Sequence, residues 1–150
     1  MAERYFADSF YFIAMFSPRD AAHVRAVGFA ERAHGGIVTT DAVLLEFADA
    51  LSSPRDRSGV AYQIEALWDD PTITVIPLSR SLLRRALELY AARKDKDWGL
   101  TDCISFVVMQ DEGITEALTG DAQVARPRAG VDSPEARPPS GMCPIPRIPN

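Results

Sequence analysis

Four short runs of apolar or β-branched residues recur along the chain, and helix-patterned segments separate them. The runs are Tyr5-Phe6-Ala7, Ile37-Val38-Thr39, Thr72-Ile73-Thr74-Val75-Ile76 and Glu116-Ala117-Leu118-Thr119. The third is the clearest strand, because every residue in it is β-branched. Between them the apolar positions follow a helical period. Ala22, Val24, Val27 and Ala30 do so over about Pro18–Arg32. Val43, Leu44, Phe47 and Leu51 do so over Asp41–Leu51, and Leu82, Leu83, Ala86, Leu87 and Tyr90 over Ser81–Ala92. Further helices are expected over Gly59–Trp68 and Asp102–Gln110, with Thr101 as the cap of the latter and Gly113 as its stop. Ser17-Pro18 reads as a cap followed by proline at the first helical position. Strands alternating with helices give βαβ units. The expected fold class is therefore α/β: an α/β/α sandwich around a central, mainly parallel, short-stranded sheet. In such sheets ligands bind beyond the carboxyl ends of the strands.

A chain of 150 residues, 47% hydrophobic and 25% charged, suits one folded unit. Seven of its eleven prolines fall between Pro127 and Pro149, in a stretch without periodicity. The expected division is a folded domain over residues 1–124 and a proline-rich, extended or disordered tail over 125–150. No apolar run approaches the ~20 residues of a membrane helix. Met1-Ala2-Glu3-Arg4-Tyr5-Phe6 lacks the charged-then-apolar order of a secretory signal. A cytoplasmic protein with no membrane association is the expectation.

Net charge is −5, which argues against nucleic-acid binding through bulk charge. A local basic group of Arg80, Arg84, Arg85, Arg93, Lys94 and Lys96 stands out against it. It reads as a solvated helix face or as a contact surface for phosphates. Cys103 and Cys143 form no CxxC pair, and Cys103 reads as a buried small hydrophobe. His23 and His34 lack metal-ligand spacing and read as surface residues.

Four acids sit at the ends of these elements. Asp8 follows the first strand, and Asp121 follows the fourth after one glycine. Glu46 lies in the helix after the second strand, and Asp102 in the first turn of the helix before the fourth. Asp8, Glu46 and Asp102 interrupt apolar frames, where acids seldom stand without a partner. Each has an ordinary reading of its own: an N-cap for Asp8, an exposed helix residue for Glu46, a helix-dipole partner for Asp102, a turn residue for Asp121. Together they suggest one carboxylate cluster. No basic residue falls inside the frames, so a hard divalent cation is the natural counter-charge. Oxygen-only ligands select Mg²⁺ or Mn²⁺. Thr101 and Thr119 place hydroxyls beside the acids. Phe10 is not the second acid that a haloacid-dehalogenase-type phosphatase needs, and Ser9-Phe10-Tyr11-Phe12 offers no glycine-rich dinucleotide turn.

Read together, Phe6-Ala7-Asp8, Thr39 through Glu46, Asp97 through Phe106 and Gly113 through Asp121 resemble the PIN-domain family, the ribonuclease fold of VapC-type toxins. The resemblance runs over roughly residues 4 to 124. It implies a PIN-like α/β/α sandwich and Mg²⁺- or Mn²⁺-dependent cleavage of RNA. It also implies Asp8, Glu46, Asp102 and Asp121 as the catalytic, metal-binding acids. An antitoxin protein and a homodimer are the partners it implies, as in a toxin–antitoxin pair. One departure stands out. The family continues past the fourth acid into a last strand, whereas here Ala122-Gln123-Val124-Ala125-Arg126-Pro127 leads into the proline-rich tail. The final edge strand is expected to be missing or replaced. The alternative function is a non-catalytic RNA- or protein-binding PIN-like module inactivated by that altered C-terminus.

Overall fold

The computed structural model describes residues 3–33, 36–119 and the short strand at 124–125. Its elements run β1 (Tyr5–Ala7), α1 (Ser9–Phe16), α2 (His23–Arg32), β2 (Ile37–Thr40), α3 (Asp41–Ala50) and α4 (Arg57–Asp69). They continue β3 (Ile73–Ile76), α5 (Arg80–Ala92), α6 (Leu100–Asp111), β4 (Ala117–Leu118) and β5 (Val124–Ala125). The strands form one sheet in the order β3-β2-β1-β4-β5. β1, β2, β3 and β4 are mutually parallel, with Phe6 beside both Val38 and Ala117. The helices flank this sheet, giving the α/β/α sandwich that the alternation of elements implies.

The two-residue β5 pairs antiparallel with β4, Leu118 opposite Val124. The last edge strand is thus present but minimal, where the sequence suggests one missing or replaced. The proline-rich tail lies outside the described residues.

Strand order fixes where a crevice opens. From β1 the chain moves to β2 and then β3, and returns to the other side of β1 for β4. The order reverses between β1 and β4, and a crevice beyond the carboxyl ends follows from that reversal. Asp8 occupies that edge.

Local chemistry explains most boundaries. The Thr40 hydroxyl accepts the Val43 N–H and caps α3, and Ser79 does the same for α5 through Leu82. α6 ends in a paired set of bonds, Gly113 N–H to Gln110 O and Ile114 N–H to Met109 O. The φ of +66° at Gly113 is the left-handed conformation that this termination needs. The core is continuous from the sheet into α1, α3 and α6, with Phe6, Val38, Phe47, Val107 and Met109 among its largest buried side chains.

Three expectations need correction. Thr101 is not the cap of α6: the helix begins at Leu100, with Gly99 before it. α2 begins at His23, not at Pro18, because Asp20 accepts the Ala22 N–H and closes a separate turn first. His23 is half-buried, not a surface residue, with Nδ1 2.7 Å from the Ala14 carbonyl oxygen.

Candidate functional site

Asp8 is the first residue past β1, and its backbone N–H donates to the Leu118 carbonyl of β4 at 3.3 Å. Its carboxylate turns the other way and accepts the Tyr11 N–H at 3.2 Å, capping α1. The capping reading of Asp8 therefore holds alongside any other role. One carboxylate oxygen is engaged by this bond.

Burial pushes the Asp8 pKa up from 3.8 to about 7. The N–H groups of Tyr11 and Phe10 work against that rise, and the charges of Glu46 and Asp102 add to it. The like-charge contribution locates the three acids. Carboxylates from three separate elements share one electrostatic neighbourhood, although they stand far apart in sequence. Among the described residues, no cation figures among the groups acting on Asp8. Among the described residues, none of the three acids enters an ion pair.

Glu46 stands exposed on α3, next to the fully buried Phe47. Phe47 packs against the Phe12 and Phe16 rings, each with centroids 6.0 Å away. This anchor fixes the turn that carries Glu46. Asp102 is exposed at the first turn of α6, and its Oδ2 accepts the Gly99 N–H at 2.8 Å. Asp121 lies outside the described residues.

The threonines do different work from each other. Thr101 is half-buried, and its carbonyl accepts the Ser105 hydroxyl at 3.0 Å. Thr119 lines a small apolar crevice with Tyr11, Ala14, Ala26, Phe29 and Leu118. Asp8, Glu46 and Asp102 do not line that crevice. Cys103 is fully buried in the core, as the sequence implies, and Cys143 and His34 lie outside the described residues.

Whether these residues suit a divalent ion turns on donor chemistry. The set is oxygen-only, carries like charges and, among the described residues, lacks an internal cation, which fits a hard divalent metal. Among the described residues no three such side chains already stand close enough together to hold an ion. Asp102 is turned back onto Gly99, so ligation would require its carboxylate to share or leave that N–H.

The sequence did not point to several residues that shape this edge. Thr39 is fully buried, and its hydroxyl donates to the Ala7 carbonyl at 2.9 Å. Asp41 Oδ2 accepts the Leu78 N–H at 3.2 Å, joining the start of α3 to the loop after β3. Glu116 is 6% exposed, just before β4. Its frame, Ile114-Thr115-Glu116-Ala117-Leu118, meets the same test of an acid interrupting apolar sequence and could have been flagged by it.

The basic group divides. Arg85 is bound bidentately by Asp111 at 2.6 and 2.8 Å. Arg93 is paired with Asp95 and lies 4.9 Å from the centroid of the Trp98 ring.

Comparison with known proteins agrees with this architecture. The fold superposes on the crystal structure of the VapC20 toxin of Mycobacterium tuberculosis, a toxin that cleaves the sarcin–ricin loop. The TM-score is 0.69 at 22% sequence identity, covering 76% of this chain and 87% of that one. No curated protein matches the sequence. The family profile described as PIN domain matches residues 5–129. A match over that span, together with the strand order, makes the chain a member of the PIN-domain family.

Proposed function

We propose that this protein is a metal-dependent endoribonuclease that hydrolyses RNA phosphodiester bonds, acting as the toxin of a toxin–antitoxin pair. The observation that carries the reading is the electrostatic convergence of Glu46 and Asp102 on the buried Asp8, with no cation among the described residues to offset it. Membership of the PIN family and the likeness to a sarcin–ricin-loop-cleaving toxin support it.

In this reading Asp8, Glu46 and Asp102 hold Mg²⁺ or Mn²⁺, with Asp121 as the fourth acid. Bound there, the ion would acidify a water and stabilise charge on the phosphodiester. The chain's own residues supply the setting. Asp8 presents a partly desolvated carboxylate fixed by the Tyr11 N–H. Glu46 and Asp102 are exposed, so the acid edge is open to a polymer. The Gly99 N–H holds the Asp102 carboxylate in a defined orientation until a ligand competes for it. An antitoxin that covers this edge, a homodimer and a cytoplasmic setting belong to the same proposal, as does a domain boundary near residue 124. Among the described residues no helix is long and apolar enough to cross a membrane.

The test is cleavage of single-stranded and structured RNA by the purified protein with Mn²⁺, Mg²⁺ or a chelator. Wild type should cut only with metal, and Asp8→Asn and Asp102→Asn should each lose nearly all activity while staying folded. Activity that survives both substitutions removes the site. Metal-loaded wild type that binds RNA without cutting it selects the non-catalytic binding module.

A further inference from the structure

The six basic residues that lie close together in sequence between positions 80 and 96 do not share one surface. α5 and α6 pack together, and the short loop between them together with the Arg85–Asp111 pair, which joins the first half of α5 to the end of α6, makes them an antiparallel pair. The Arg85–Asp111 pair marks one end of this helix pair, where α6 finishes. Arg93, at the end of α5, lies eight residues and about 12 Å of helix rise further on. That places it at the other end, where α6 begins and Asp102 sits. Arg80, Arg84 and Arg85 therefore belong to the end remote from the acids. Lys94 and Lys96 belong to the acid end.

The segment that carries these two lysines is held in place. Arg93 closes back on Asp95 at 2.9 and 3.0 Å and covers the Trp98 ring. Trp98 is buried and meets Phe106 of α6 edge-on, with centroids 4.8 Å apart. The Lys96 N–H donates to the Arg93 carbonyl at 3.1 Å, folding the loop into a turn. The loop then ends on Asp102 itself through the Gly99 N–H. Lys96 is three residues from Gly99, so their Cα atoms are at most about 10 Å apart.

We infer that Lys94 and Lys96 form a phosphate-contacting rim beside the acid pocket, gripping the backbone of an RNA strand whose next phosphate lies among Asp8, Glu46 and Asp102. This inference rests on the nuclease reading of that pocket. Charge complementarity carries it. Asp95 answers Arg93 within the loop, which leaves two lysines against the single exposed carboxylate of Asp97. A polyanion drawn to a pocket of three acids needs cations nearby, and with Arg93 committed to Asp95, Lys94 and Lys96 are the members of the basic group left at that end.

The experiment compares Lys94→Ala/Lys96→Ala with wild type on a short dye-labelled single-stranded RNA of uridines. It is run as Mn²⁺-dependent cleavage in the native background and as binding in the Asp102→Asn background. The double variant should raise KM with little change in kcat, and should flatten the log–log salt dependence of binding by about 1.4, or ~0.7 per lost phosphate contact. Lys94→Arg/Lys96→Arg should restore both, and Arg84→Ala should change neither. An unchanged salt slope in the alanine variant overturns the rim, whatever the cleavage result. Wild type that binds RNA with a lysine-dependent slope but never cuts it overturns the nuclease reading and retains the rim. Wild type that neither binds nor cuts overturns both.

Discussion

The hydroxyl of Thr39 donates to the carbonyl of Ala7 at 2.9 Å, joining the carboxyl ends of β2 and β1 one residue before Asp8. Both partners are fully buried. Thr39→Val keeps the shape and deletes the donor, so it should cost about 1–2 kcal/mol of folding free energy. Denaturant unfolding measures this, and Thr39→Ser should recover part of it. A neutral Thr39→Val would show that the bond contributes nothing net.

The raised pKa of Asp8 has a definite sign in stability. Its folded value, about 7, lies above the 3.8 of the unfolded chain, so the folded state holds the proton more tightly. Without metal, this group's contribution is at its full value below pH ~4 and is lost as pH rises towards about 7. Thermal melts of wild type minus Asp8→Asn, taken in chelator across that range, should show a declining difference. In the proposed site the ionised carboxylate holds Mn²⁺, so the metal should reverse the decline and bind more weakly as pH falls below 7. A flat difference curve would contradict the desolvated setting of Asp8.

Phe47 is wholly buried beside the Phe12 and Phe16 rings and adjoins Glu46. Phe47→Ala should destabilise the fold by about 3–5 kcal/mol, whereas Phe47→Leu should cost far less. Calorimetry or urea unfolding distinguishes them. A mild alanine variant would mean that the α1–α3 contact is not the anchor of the Glu46 turn.

Arg85 and Asp111 form a bidentate pair, but both side chains are nearly half exposed. Its geometry is the tightest among the ion pairs of the described residues, yet solvent screens it. Arg85→Ala should cost under about 1 kcal/mol and leave RNA cleavage intact. A large loss of activity would bring the remote end of α5 into the substrate path.

Much of this architecture was legible in the sequence because period and composition agreed. The β-branched run at 73–76 and the apolar stripe of α5 fell within one residue of their observed limits. α1 was legible only through its cap, Asp8, because Ser-Phe-Tyr-Phe-Ile-Ala-Met-Phe is apolar on nearly every side and has no stripe to count. The starts of α2 and α6 were misplaced for one reason. Each had a plausible capping residue, Ser17 or Thr101, while tertiary geometry placed the first turn elsewhere. Of the candidate site, the sequence supplied the acids but not their orientation. That Asp102 faces the Gly99 N–H, and that Arg93 is committed to Asp95 and Trp98, depends on rotamers that no spacing encodes.

β1 lies between β2 and β4, and it pairs with β4 through partners more than a hundred residues later in the chain: Phe6 with Ala117 and Ala7 with Leu118. A growing polypeptide therefore exposes Asp8 early but cannot seat α6 and β4 around it until nearly all of the domain has been made. On the proposed nuclease reading, this gives a built-in delay. Unfinished chains carry the acids without the pocket, and the proposed activity would arrive only with completion of the fold.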